Sequence, residues 1–546
     1  MTDSSNSLWY RDAVFYELYI RAYRDTNGDG HGDLPGVIEK LDYIKSLGVD
    51  CIWLLPMYPS PLKDDGYDVA AFDGIHPNYG TMADFERLID EAHKRGLRIV
   101  ADLIVNHTSD KHRWFVESRS SREDPRRSWY VWSDSDQRYK DARVIFIDTE
   151  PSNWAWDESS EQYYWHRFYA SQPDLNYDNP EVRQAILDVV AFWLEKGLDG
   201  FRVDAVPYLF EREGTNCENL LETHEYLKEL RAFVDARWPD ALLLCEANQM
   251  PEDVVHYFGD RDEFHMGFHF PVMPRIYMAL RSGQPTKLRQ IMEATPPIPD
   301  ACQWCIFLRN HDELTLEMVT EEEREWMWQE YAPDPRMRLN LGIRRRLGPL
   351  LDNDREKILL ANRVLFSLPG APIVYYGDEI GMGDNIWLPD RNGVRTPMQW
   401  KPDSSAGFSD APSARFYAPV VDNPEFGPRQ VNVTDQEADP DSMLNAMRAL
   451  ISLRKQHPVF AHGDLTFLDV AETSLLAFVR HSPDETVIVV HNFDEHPIET
   501  VLPLPDFVGC QPTDLLTGRE FGVVEQAGYP LRIGRRDSLW LSVMTC

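Results

Sequence analysis

What most limits the folds open to this chain is a rhythm. Over roughly the first 380 residues, short runs rich in β-branched and aromatic side chains alternate with longer stretches of helical period. Strands are predicted at Ala13–Ile20, Val49–Leu55, Leu97–Ile104, Gly200–Asp204, Ala241–Glu246, Glu263–Gly267, Cys305–Asn310 and Pro372–Tyr376. Between the second and third, Met82, Phe85, Leu88, Ile89 and Ala92 share one helical face, and Gly96 follows where a left-handed cap is needed. Strands separated by helices lie parallel, because the crossover returns the chain to the same edge. Eight such units predict a closed (β/α)8 barrel, an α/β TIM barrel.

Three segments interrupt the rhythm. Residues 107–176 are rich in Trp, Tyr, Ser and Asp without a helical period and read as an irregular domain inserted after the third strand. A second insertion, about 313–354, carries the charge runs Glu321–Arg324 and Arg344–Arg346 and looks helical. After a helix at Ser442–His457, runs such as Leu475–Val479 and Thr486–Val490 alternate like strands. The expected organisation is a barrel from 1–106 and 177–444, an inserted domain at 107–176, and an antiparallel β domain at 445–546.

Composition removes whole classes of function. Asp plus Glu number 90 against 55 Lys plus Arg, a formal charge of −35, which repels a phosphate backbone and argues against nucleic acid as a partner. No window reaches the roughly 18 to 20 uncharged apolar residues of a membrane span. The opening MTDSSNSLWYRDAVFYE lacks a cationic, apolar leader, so a soluble cytoplasmic protein is expected, with a homo-oligomer left open. Seven scattered cysteines suit reduced thiols, and Cys302 and Cys305 read as strand-buried thiols, since no second pair or nearby His completes a zinc site.

In such a barrel the reacting groups come from the C-terminal ends of the strands. The third predicted strand ends Asp102 to His107, the fourth Arg202-Val-Asp204, the fifth Cys245-Glu246, and the seventh Asn310-His311-Asp312. Asp204, Glu246 and Asp312 therefore converge on one mouth with His107, Arg202 and His311. One Asp at a strand end commonly caps the next helix, but four polar ends together make that reading poor. Two facing carboxyls cleave a glycosidic bond when one attacks the anomeric carbon and the other protonates the leaving oxygen. Arg202 would keep Asp204 ionised as the nucleophile. Glu246, with no basic neighbour in sequence, would stay protonated as general acid. Asp312 suits a site that stabilises an oxocarbenium-like transition state.

These residues carry a resemblance. DLIVNH (Asp102–His107), GFRVDA (Gly200–Ala205), CEAN at Glu246 and NHD (Asn310–Asp312) resemble, in order and separation, the four signature regions of glycoside hydrolase family 13, the α-amylase family. The resemblance implies Asp204 as nucleophile, Glu246 as acid/base and Asp312 as transition-state stabiliser, with His107, Arg202 and His311 around the same glucose ring. It also implies a domain B after strand three and a C-terminal β-sandwich. QPDLN (Gln172–Asn176) is similar to the oligo-1,6-glucosidase side of the family, whose members close a pocket on a terminal glucose. Asp64, Tyr67, Phe168, Gln172 and Arg395 match pocket positions there. The stretches YYWHRF, QPDLNYDNP, CEANQ and PEDVVHYFGD are most similar to members that interconvert maltose and trehalose, although Met250 stands where Trp is expected. That implies a glucosyl-enzyme formed and resolved inside a closed pocket with water excluded; Tyr208, Glu313 and Glu317 are lid candidates, the last two a helical turn apart. An α-glucosidase or oligo-1,6-glucosidase, or a sucrose isomerase, shares the same first step.

Metals are expected, and no organic cofactor. Asp25, Asn27, Asp29 and Asp33, with His31 in the same run DTNGDGHGD, place oxygen donors at alternate positions, as in a Ca2+ loop, with Mg2+ the alternative ion. It is not an EF-hand, since Gly36 stands at position twelve. The resemblance implies a second Ca2+ held by Asn106, Asp174 and Glu211 with carbonyls near Tyr208 and Leu209. A calcium-binding structural protein would explain the loop but not the four strand ends.

Overall fold

The computed structural model describes residues 8–543; the opening residues 1–7, on which part of the leader reading falls, lie outside them. The predicted barrel forms. Its strands are β1 (Phe15–Leu18), β2 (Cys51–Leu54), β3 (Arg98–Ile104), β4 (Gly200–Asp204), β5 (Leu242–Cys245), β6 (Met266–Phe268), β7 (Gln303–Phe307) and β8 (Ala371–Tyr375). Each pairs in parallel with its neighbours, and β8 closes on β1 with Phe15 opposite Ile373. Nearly every strand residue is buried, as expected of strands enclosed by side chains inside and helices outside. The helix Met82–Lys94 shows how local sequence sets these units: Thr81 and Asp84 form a reciprocal capping box, and Phe85, Leu88, Ile89 and Ala92 face the barrel.

Most strands are shorter than the sequence runs suggest, losing residues at one end or both. β7 ends at Phe307 rather than Asn310, so His311 and Asp312 sit on the loop beyond it. Buried Arg309 pins that loop, donating to the carbonyls of Arg345 and Asp312.

Both insertions depart from expectation. The first contains a helix, Arg113–Ser120, and a three-stranded sheet of Trp132–Ser133, Trp154–Asp157 and Gln162–Trp165, with its own small core around Tyr139, Trp154 and Trp165. Aromatic stacking rather than aliphatic periodicity builds it, which is why no period shows. The second has a capped helix, Glu321–Tyr331, but also a small sheet of Leu314–Thr315, Arg338–Leu339 and Gly342–Ile343. Leu314 pairs with Ile343, so Glu313 and Glu317 flank a strand and are not one helical turn apart.

The C-terminal region is antiparallel, and its two-residue period is put to use on both faces. Leu475, Ala477, Ile488 and Val490 face a second sheet, Ile498–Pro503 with Gly528–Ile533, and form a separate core. Leu476, Phe478, Val487 and Val489, on the opposite side, join the main core of the barrel. Among the described residues no helix is long and apolar enough to cross a membrane. Cys51, Cys217, Cys245, Cys302 and Cys305 are free and buried, but Cys510 is disulfide-bonded, which corrects the expectation that every cysteine is a reduced thiol.

Candidate active site

The strand ends bring Asp204, Glu246 and Asp312 to one pocket at the C-terminal mouth. Asp204 is the last residue of β4, and Glu246 follows β5, its amide donating to the Val203 carbonyl of β4. Between them lies Arg202, 1% exposed. Its Nη1 stands 2.6 Å from Asp102 and 2.5 Å from Asp204, and its Nη2 2.6 Å from Glu246. The expectation that Glu246 lacks a cationic neighbour is therefore corrected. β4 and β5 are adjacent strands, so a guanidinium remote in sequence reaches both carboxyls.

The three acids are nevertheless held in different states. Burial pushes Glu246 up to about 7; Arg202 opposes this, and repulsion from Asp204 and Asp312 reinforces it. Burial also raises Asp204, to about 6, with Arg202 pulling the other way. Burial alone would raise Asp312 too, but His311 and Arg391 hold it well below the usual carboxylate range. Its contacts are His311 Nε2 at 3.0 Å, Arg391 Nε at 2.8 Å and Arg395 Nη2 at 2.9 Å. Near neutrality the site thus holds one firmly ionised carboxylate, one mostly ionised, and one poised between acid and base.

The remaining predicted residues fall into two layers. Asp64, Tyr67, His107, Phe168 and Gln172 line the pocket, with Gln172 donating to Asp64 at 2.9 Å. His107 is kept neutral by burial, its pKa lowered to about 4, and its Nε2–H donates to the Tyr67 carbonyl. Arg202, His311 and Arg395 stand behind the lining and act on it through the carboxylates. Sequence reasoning missed Arg391, which lines the pocket and pairs with Asp312, Glu313 and Asp390. It also missed Asp65, which bridges Arg395 and Arg21 at 2.9 and 2.8 Å. The repeated Arg of Arg391-Asn-Gly-Val-Arg395 and the repeated Asp of Asp64-Asp65 were the available signals.

Tyr208, Glu313 and Glu317 all line the pocket. Arg143, from the first insertion, ties that side shut. It meets Glu317 at 2.7 Å and Glu218 at 2.8 Å, and donates to the Tyr208 hydroxyl at 3.2 Å. Because Glu317 belongs to the second insertion, this contact joins the two insertions across the mouth.

The proposed metal residues differ in how well they are satisfied. Asp25 accepts from the amides of Asn27, Gly28 and Gly30 and from Ser409, while Asp33 accepts from Thr26 and caps the helix Leu34–Glu39 through Gly36. Asn27 and Asp29 take the amides of Asp29 and His31, and His31 Nδ1 accepts from Arg21. The other set is unsatisfied: Asn106 Oδ1, Asp174 Oδ2 and Glu211 Oε1 are all buried with no hydrogen-bond partner. Asn106 turns its amide to His107, and Asp174 pairs with His107 across an isolated backbone bridge, so both residues adjoin a residue of the pocket lining. Among the described residues no cluster of three or more His, Cys, Asp or Glu forms a metal site; this set is two carboxylates and an amide oxygen.

Sequence comparison agrees with the architecture. The alpha-amylase catalytic-domain family matches residues 17–332 and 343–463, and the maltogenic amylase C-terminal domain matches 465–540. The chain belongs to the α-amylase family. Within it, the chain is 53% identical to a trehalose synthase from Pimelobacter sp. over 97% of this chain and 95% of that protein. It is also 53% identical to the trehalose synthase/amylase TreS of Mycobacterium tuberculosis, over 98% and 90%. Among solved structures, the trehalulose synthase MutB of Pseudomonas mesoacidophila superposes with a TM-score of 0.79 at 28% identity, covering 98% of this chain and 99% of that one.

Arg202 yields a direct test. Arg202→Leu leaves Asp102, Asp204 and Glu246 buried without their shared cation, which should cost on the order of 3–5 kcal/mol. Asp102 and Asp204 already sit near 6 and Glu246 near 7, above their unfolded values, and loss of Arg202 raises all three. The folded variant then binds more protons than the unfolded chain, so its stability falls as pH rises through those values. Urea unfolding should show a larger deficit against wild type at pH 8 than at pH 5.

Proposed function

We propose that this chain isomerises maltose to trehalose by a retaining double displacement, with minor hydrolysis to glucose. The observation that carries the reading is the set of three buried carboxyls in different electrostatic surroundings facing one pocket, in a chain so similar to trehalose synthases. Asp204 attacks the anomeric carbon of the non-reducing glucose while Glu246 gives its proton to the departing oxygen. A glucosyl ester on Asp204 results, with the anomeric configuration inverted. Asp312, ionised and opposite, stabilises the positive charge that develops on the ring. The released glucose stays, turns, and presents its own anomeric hydroxyl; Glu246 removes that proton, and a second inversion gives the α,α-1,1 link. Arg143, Tyr208 and Glu317 support this step by closing the mouth, because admitted water would divert the ester to hydrolysis.

A hydrolytic α-glucosidase or a sucrose isomerase would share the first displacement. Incubation with maltose should therefore yield trehalose as the main product by chromatography, with little exchange of labelled external glucose. Glucose alone would contradict the isomerase reading.

The protonation states also set a pH dependence. Catalysis needs Asp204 ionised and Glu246 protonated, so kcat/KM should fall below about 6 and again above about 7. A profile flat from pH 5 to 9 would contradict the assignment.

A structural Ca2+ at Asn106, Asp174 and Glu211 is part of the same proposal. Three orphaned buried oxygens are the donor set a hard cation takes, and the ion would neutralise two carboxylates at the base of the first insertion. A second ion in the Asp25–Asp33 loop is supported by its alternating oxygens alone, since the loop's amides already engage them. Desalted protein should retain Ca2+ by elemental analysis, and EDTA should lower its Tm; a protein free of divalent metal with an unchanged Tm would remove both sites. Five buried free thiols support a reducing compartment, the cytoplasm, against which stands the disulfide-bonded Cys510.

A further inference from the structure

Behind His311 lies a carboxyl group that the mechanism does not yet use. Glu17 sits on β1 with 0% exposure. Its Oε1 accepts from the His311 amide at 3.1 Å and lies 2.5 Å from His311 Nδ1, while its Oε2 is buried without a partner. Among the described residues, His311 is the only side chain that forms an ion pair with it. A fully buried carboxyl group is costly to leave without a partner, and the His311 ring is the group placed to supply one.

The ring is clamped in a defined orientation. Trp53 meets it edge-on and Tyr67 stacks on it, their ring planes 9° apart. On the far side, Nε2 reaches the Tyr67 hydroxyl at 2.7 Å and Asp312 at 3.0 Å. Glu17, His311 and Asp312 thus form a line from the barrel interior to the pocket.

We propose that Glu17 is a positioning residue for the reaction: it fixes a proton on His311 Nδ1, holds the ring as the imidazolium, and through it keeps Asp312 ionised against the sugar pocket. The inference rests on the proposed role of Asp312. The charged or titratable groups around His311 are Glu17 from β1, Asp312 on its own loop, Tyr67 after β2, Asp102 from β3, and Arg395, whose Nε donates to the His311 carbonyl. Around Glu17 stand Cys305 of β7 and Tyr375 of β8, neither of which supplies a positive charge. Asp102 and Asp312 are anions that Arg202, Arg391 and Arg395 already engage. Two carboxyl groups thus favour the protonated ring, Asp312 first and Glu17 second, and Glu17 is the one on the Nδ1 side, away from the sugar pocket.

Glu17→Gln keeps the shape and an acceptor for Nδ1–H but removes the charge. The ring should then lose its second proton at lower pH. For maltose, kcat should fall at least about tenfold at pH 8 with KM nearly unchanged, and the variant-to-wild-type ratio should recover toward about one at pH 5.5. Titration of Glu246 and Asp204 is common to both proteins and cancels in that ratio. Glu17→Leu, which tolerates burial without any polar partner, provides the same ratio if the Gln variant does not fold. A loss that is constant across pH would make Glu17 a structural residue only, and a kcat within twofold of wild type at every pH would also overturn the proposal. The wild-type product pattern, measured alongside, reports separately on the isomerase reading.

Discussion

One guanidinium holds the chemical centre together. Arg202 is buried among Asp102, Asp204 and Glu246, and the proposed nucleophile and acid/base both depend on how its single positive charge is divided. One cation shared by three acids cannot fully ionise them all in a buried site, so protons must remain in the cluster. Burial, only partly offset by Arg202, leaves Glu246 near 7 and Asp204 near 6, which is the division of labour that a nucleophile and an acid/base require. Asp312 escapes the shortage because it has cations of its own, His311, Arg391 and Arg395.

The fold makes this possible by supplying adjacency that the chain order does not. Register places Asp102 beside Arg202 across β3 and β4, and Arg202 opposite Leu244 of β5, so neighbouring strands bring their ends to a common level. The inserted segments complete the enclosure from above. Arg143 and Glu317 come from different insertions, and their contact converts two loops into one wall. Burial of the cluster and closure of the pocket therefore serve the same end, since both exclude the water that would level the acids and hydrolyse the intermediate.

Much of this was legible in the sequence, for identifiable reasons. The barrel could be read because its strands are continuous apolar runs and its helices are amphipathic, so period and length both carried information. Asp204, Glu246 and Asp312 could be read because polar residues at the ends of apolar strands are conspicuous. What could not be read was pairing between distant segments: Glu17 meets His311 across 294 residues, and Asp65 meets Arg395 across 330. The electrostatic environment of Glu246 was misjudged for the same reason, since its cation comes from the strand before it. The small sheets of the insertions were hidden because two- to four-residue strands stabilised by aromatic stacking leave no periodic signature.

The central claim is that Asp204, positioned and kept ionised by Arg202, becomes covalently glucosylated. Incubating the enzyme with a 5-fluoro-α-glucosyl fluoride, which forms the ester faster than it resolves, and then digesting it for mass spectrometry tests this directly. The account predicts one fluoroglucosyl adduct per chain, on the peptide that contains Asp204, and none in Asp204→Ala. An adduct on a different carboxylate, or full turnover of maltose by Asp204→Ala, would contradict it.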